Sequence, residues 1–372
     1  MRRSGAWPRS RWLVGAAFIA AALALALAFR FAPALVLSLA LAMPSAEAWL
    51  APFGQRPVRE EITLDVPGAR LAADLYRPAR PRGALLLVHG LSPAGRHHPE
   101  LVRLARLLAQ QGVLVMVPQF ESLAAFRLSG REVDEVRSAL QCLRGMNGRV
   151  GIAGFSFGAG PALLAAADAP GLRVVGSFGG YADLRRVILY IVTGVHTFGG
   201  RCYVQPREEY NRWKLLVLLV GFVDDDRDRA LLEAIGERKL ANPSEDTGAL
   251  EASLGPEGRT VLELARSRTE TAVGDLLDRL PERARQALEG LSPTGGISRI
   301  SAPLLLAHGA GDPSIPFTES LRLAQAAGQR ARVVILESFH HTGPQVVWQS
   351  LGHRARDGWR LFLLVDDLLA AQ

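Results

Sequence analysis

The chain has 372 residues, 49% of them hydrophobic and 21% charged, enough to bury a sizeable core in one α/β domain with an insertion. Its formal charge is +7, and all but two of its 43 basic residues (Lys214 and Lys239) are arginine. These arginines are scattered, without the basic-aromatic interleaving of a nucleic-acid surface, so no nucleic-acid partner is expected. Two cysteines, Cys142 and Cys202, stand far apart and outside any metal-ligand spacing, and His97 and His98 likewise have no partner at such spacing. No metal or cofactor is therefore expected, while a disulfide in an oxidising compartment and two free thiols both stay open.

Arg2, Arg3, Arg9 and Arg11 precede an uncharged run over 12–29. As a helix that run is about 27 Å long, close to the roughly 30 Å bilayer core. The reading is an uncleaved anchor with its N-terminus in the cytoplasm and the catalytic domain on the far side, periplasmic or extracellular. The alternative is secretion after signal cleavage near Ala48, since Ala46-Glu47-Ala48 fits the small-residue pattern; its apolar region would exceed the usual length. Arg30 interrupts the apolar character, which resumes over 31–43. It either snorkels to the interface or marks the turn of a two-helix hairpin.

After this anchor and linker (1–55), residues 61–66 and 71–76 read as strands joined by a Pro67-Gly68 turn. Continuous apolar runs at 84–88 and 113–117 suit strands buried on both faces of a parallel sheet. Amphipathic stretches at 99–111 and 131–144 fall after each run, and further strands follow, one a short apolar run beginning at 150 and one at 173–178. Strands alternating with helices in this order give a doubly wound, mostly parallel sheet. The alternation stops over 183–299, where apolar segments at 187–195 and 213–223 and helical patterns at 226–242, 260–269 and 272–288 make a mostly helical insertion. The core, opened over 56–182, resumes over 300–372 with strands at 303–307 and 332–336 and a closing helix at 354–369.

The segment Gly154-Phe155-Ser156-Phe157-Gly158 joins the strand at 150 to an alanine-rich helix. A serine at the apex of such a turn has a strained backbone and crowded neighbours two positions away, which Gly154 and Gly158 relieve. With this motif the chain resembles the α/β-hydrolase fold family, in its dienelactone-hydrolase-like and lipase/esterase branches. The resemblance covers 60–182 and 300–372, and it implies that the insertion is a helical cap over the site's mouth.

The resemblance implies a Ser-Asp-His triad in that chain order. Ser156 is the nucleophile. Asp312, in His308-Gly-Ala-Gly-Asp-Pro-Ser-Ile-Pro316, is the acid, with Asp183 as the substitute. His341 is the base, with His340 as the alternative, both just beyond Glu337 at the end of the last strand. A serine hydroxyl needs an imidazole to take its proton, and the imidazole needs a carboxylate to fix its tautomer. The family also places oxyanion donors at the N–H groups of Phe157 and Leu91, with His89 bracing the loop that carries Leu91. The implied function is a serine hydrolase cleaving a carboxylic ester or thioester of small-molecule or lipid-like character. The other reading is a catalytically inactive, membrane-tethered binding protein on the same fold. Nothing in the sequence sets the oligomeric state.

Overall fold

The structure, a computed structural model, describes residues 9–337, 339–340, 343–344 and 351–372, with side chains described over 18–337 and from 355 onward. The strand–turn–strand segment after the linker forms β1 (Val58–Val66) and β2 (Ala69–Arg77), paired antiparallel, with Gly68 at φ +75° in the turn. The following strands are β3 (Gly83–Val88), β4 (Val113–Pro118), β5 (Val150–Phe155) and β6 (Val175–Phe178). A small hairpin, β7 (Val195–Phe198) and β8 (Arg201–Val204), comes next, and β9 (Leu304–Gly309) and β10 (Ala331–Leu336) complete the sheet. Among the described residues the main sheet has eight strands in the order β1-β2-β4-β3-β5-β6-β9-β10. β2 runs antiparallel to β4, and every pair from β4 to β10 is parallel. This is the doubly wound, mostly parallel sheet of the α/β-hydrolase fold.

Every residue of β3 and β4 is buried, because helices cover both faces of a parallel sheet. Successive side chains point to opposite faces, and β3 divides accordingly: Ala84, Leu86 and Val88 join one core, Leu85 and Leu87 the other. The first face packs against the helices Arg131–Met146 and Ala159–Ala167, which follow β4 and β5, and against Thr318–Ala327, which follows β9. The second face is covered by α1 (Arg9–Ala42), α2 (Pro99–Gln110) and the closing helix Leu351–Ala370.

Within 183–299 lie the helices Leu184–Thr193, Glu209–Val220, Asp226–Ala241, Pro256–Arg266, Glu270–Arg279 and Glu282–Gly290. The stretch expected to be one helix over 272–288 is two, because Pro281 cannot donate a backbone hydrogen bond and holds Leu280 extended, with ψ at 148°. The β7–β8 hairpin was not foreseen. Cys142 and Cys202 are free thiols, the second exposed.

α1 passes without a break through Arg30 and Pro33, so Arg30 marks no hairpin turn. Phe18–Ala42, with mean hydropathy 2.1, is long and apolar enough to cross a membrane, a test that a signal sequence also passes. Its side chains from 18 to 32 are exposed, whereas Ala34, Leu37 and Ala40 are each only 1% exposed against the domain. At the junction, Arg30 Nη1 lies 2.5 Å from Asp366 of the closing helix. Beyond α1, Glu47 is clamped by Arg103 and Arg106 of α2.

Candidate active site

The turn after β5 carries the backbone strain its sequence implies. Ser156 has φ +51°, and among the described residues only Phe126 shares a positive φ without being glycine. A conformation of this kind costs about 1–3 kcal/mol and persists only where the surroundings enforce it. Here they do. A Cβ on Gly154 would lie 2.5 Å from the Ala159 Cα, and one on Gly158 would lie 2.0 Å from the His89 carbonyl oxygen. No larger residue fits at either place. Ser156–Gly158 forms a tight turn that leads directly into the helix Ala159–Ala167, so the N–H of Phe157 belongs to the positive end of a helix dipole.

The loop after β3 comes down onto the same turn. A Cβ on Gly90 would lie 2.8 Å from the Ser156 Cβ, so glycine is what permits that approach. His89 holds the loop: its Nδ1–H donates to the Gly90 carbonyl at 2.9 Å, and its Nε2 accepts from the Phe120 N–H at 3.0 Å. Acceptance at Nε2 requires the neutral ring, and burial pushes its pKa down to about 4. His89 is a brace. Leu91, two residues after His89, is buried and lines the same cavity as Ser156.

Asp312 lies in the loop after β9, 1% exposed. Its Oδ1 accepts from the N–H groups of Ser314 and Ile315 at 2.8 and 3.0 Å, which fixes the carboxylate plane. Its Oδ2 is 3.5 Å from Nε2 of His308, a ring held by the Ser320 hydroxyl and the Ile315 carbonyl. The insertion bolts this loop down. The Tyr190 hydroxyl donates to the Asp312 carbonyl at 2.5 Å, the Gln205 amide to the Ala310 carbonyl at 2.7 Å, and the Asn211 amide to the Pro313 carbonyl at 3.1 Å. Ser156 and Asp312 both line one cavity of about 410 Å³.

Asp183, the substitute acid, is outside the residues lining that cavity and serves as a helix cap. Its Oδ1 accepts from the Arg185 N–H at 2.8 Å, and Arg186 lies 3.6 Å from Oδ2. Of the two candidate bases, His341 lies outside the described residues. The backbone of His340 pairs with Gly343 in a short ladder, Phe339–His340 against Gly343–Pro344, that contacts β9. Among the described residues no cluster of His, Cys, Asp and Glu has the makings of a metal site.

The insertion contributes less lining than its apolar sequence suggests. Among the described residues Lys214 is its one side chain on the cavity wall. Burial holds that ammonium below lysine's ordinary range, while Asp312 and Glu208 pull it back up. Leu215 and Leu218 close over Leu91 and Phe157 instead. Sequence reasoning had no signal for Tyr190, Gln205, Asn211 or Lys214. The rarity of lysine in this chain was the one available hint, and it pointed to Lys214 no more than to Lys239.

The remaining walls are mostly apolar, with Ser92, His98, Glu100, Arg103 and His308 as polar members. Leu85 and Leu87 of β3, Phe155 and Phe178 at the ends of β5 and β6, and Leu336 at the end of β10 form the floor. Over them lie leucines of α2 (101, 104 and 108), of the closing helix (361, 364 and 368) and of α1 (37 and 41). The spacing of three, four or seven puts each set on a single helix face.

No family model matches the sequence, and no curated protein matches it. Solved structures do. An esterase domain from a Rhodothermus marinus protein is 16% identical, with 84% of this chain and 97% of that chain covered at a TM-score of 0.45. A dienelactone hydrolase from Anabaena variabilis is also 16% identical, with 82% and 97% covered at 0.45. An acylaminoacyl peptidase from Pyrococcus horikoshii is 15% identical at a TM-score of 0.44; 83% of this chain is covered, but it spans only 40% of the peptidase's length.

Proposed function

We propose that this chain, an α/β-hydrolase fold carried on an N-terminal apolar helix, is a serine hydrolase that cleaves a carboxylic ester through an acyl-enzyme. The observation that carries the reading is Ser156, held at positive φ by glycines that nothing else can replace, on the wall of an apolar cavity that Asp312 also lines. An apolar cavity of this size suits an ester's acyl group better than a peptide's polar backbone.

In this reading the Ser156 Oγ attacks the ester carbonyl while its proton passes to the imidazole of His341, or of His340 in its place. The carboxylate of Asp312 stabilises the imidazolium and fixes its tautomer. The N–H groups of Phe157 and Leu91 receive the oxyanion, a contribution worth about 2.7–4 kcal/mol for each donor. The imidazolium returns its proton to the departing alkoxide, and the alcohol leaves. Water, deprotonated by the same imidazole, then attacks the acyl-serine and releases the carboxylic acid. The substrate is a small-molecule or lipid-like ester. The arginines ahead of residue 12 put the N-terminus in the cytoplasm and the catalytic domain across the membrane.

The assignments are tested by turnover of p-nitrophenyl esters in four variants of the detergent-solubilised chain. Ser156→Ala and Asp312→Asn are expected to reduce kcat at least a thousandfold, in line with about 10⁴ for such carboxylate-to-amide changes. His341→Asn is expected to match them and Asp183→Asn to stay within a few fold. Full activity in Ser156→Ala overturns the reading. Loss with His340→Asn and not with His341→Asn moves the base by one residue.

A further inference from the structure

We infer that the N-terminal helix is a working wall of the site: its docked half, with α2 and the closing helix, forms a channel for the acyl chain of a membrane lipid ester. The inference rests on Ser156 as nucleophile, and it changes what the helix is for.

Among the described residues the helical insertion reaches the cavity only through Lys214. The cavity runs from Ser156 along the second face of the sheet, roofed by Leu37 and Leu41 of α1 and walled mainly by leucines of α2 and the closing helix, with His98, Glu100 and Arg103 also on its wall. Protein interiors pack to crystal density, so an apolar slot of about 410 Å³ between a sheet and its helices calls for an occupant. A linear hydrocarbon matches both its lining and its position, with one end at the reacting hydroxyl.

The helix ties the slot to a bilayer. Residues 12–29 account for about 27 Å of helix, and the side chains from 18 to 29 stand away from the domain. The docked half begins where that exposed stretch ends. At the junction Arg30 pairs with Asp366, and its guanidinium lies 4.9 Å from the Phe31 ring centroid. Phe31 faces Phe362 at 6.1 Å, and Phe362 stacks on the exposed Trp359 at 5.3 Å. An arginine set among aromatic rings is the composition of a membrane–water interface. Leu361, beside Phe362, lines the cavity, so the seam between α1 and the closing helix leads from that interface to the slot.

The same geometry argues against removal of the helix near Ala48. Cleavage there would discard Ala34, Leu37 and Ala40 from the core and the Glu47 clamp on α2, leaving the slot open to water along its length.

The test uses the full chain in detergent micelles, with p-nitrophenyl acetate, octanoate and palmitate. In the wild type kcat/KM is expected to rise about fourfold for each methylene that enters the slot. Leu37→Trp and Leu364→Trp fill it from different walls, and each is expected to lower the palmitate-to-acetate ratio at least tenfold. A ratio unchanged in both overturns the channel. Separately, Ser156→Ala is titrated with the fluorescent fatty acid cis-parinaric acid, displaced by palmitate. Saturable binding that Leu37→Trp weakens supports the channel even in a chain that hydrolyses nothing, an outcome that would overturn only the nucleophile. Absence of saturable binding overturns the channel whatever the turnover shows. Release of fatty acid from phosphatidylethanolamine vesicles supports the bilayer as the source. Cleavage of p-nitrophenyl palmitate with no release from vesicles overturns it.

Discussion

The two faces of the sheet are built from the same alternating strands and end up different. On the face carrying Ala84, Leu86 and Val88, helices with small residues press close and the insertion adds a second layer of leucines. On the face carrying Leu85 and Leu87, three helices of larger leucines stand over a slot that the side chains do not fill. One face is core and the other is core with a cavity left in it. Alternation in a strand fixes which side chains share a face, but the volume left between sheet and helix depends on how the helices dock.

Neighbouring residues of β3 give the sharpest test of that difference. Leu86 and Leu87 are both fully buried, but only Leu87 borders the cavity. Leu86→Ala should destabilise by about 3–5 kcal/mol, in the upper range for buried leucines. Leu87→Ala should lose less, about 2 kcal/mol, because the side chains bordering the cavity have room to relax into the vacated space. Urea unfolding of both variants in the same detergent reads the gap. Equal losses would mean that the second face is as well packed as the first.

A smaller effect separates the loop brace from both faces. The His89 ring is neutral in the fold, with its pKa at about 4 against an ordinary 6.5. Between those values the unfolded chain takes up a proton that the folded chain refuses. This stability is therefore present above pH 6.5 and is lost as pH falls toward 4, by up to about 3 kcal/mol. His196, with its pKa lowered to about 4 chiefly by burial, adds a loss in the same window. Urea midpoints at pH 7, 5.5 and 4.5 should fall more steeply in the wild type than in His89→Gln. Parallel slopes would remove His89 from the account.

Much of the scaffold was legible in the sequence, for reasons that can be stated residue by residue. Buried parallel strands leave unbroken apolar runs such as 84–88, and a strained serine turn leaves glycines two positions away on each side. Ser156 and Asp312 followed from lying just after strands, where both are found on the wall of a single cavity. Other features left no local trace. Tyr190, Gln205 and Asn211 act through single hydrogen bonds to carbonyls about a hundred residues away, and no spacing records such a bond. Arg30 looked like an interruption because its partner, Asp366, lies 336 residues on. The slot was invisible because a leucine that lines a cavity and one that fills a core obey the same pattern.

The central claim is that the Ser156 hydroxyl is an activated nucleophile. The most direct measurement is intact mass and peptide mapping of the full chain after incubation with a fluorophosphonate at neutral pH. The account predicts a single adduct on the peptide containing Ser156, and none in Ser156→Ala. An adduct on another residue, or one that persists in Ser156→Ala, would contradict it.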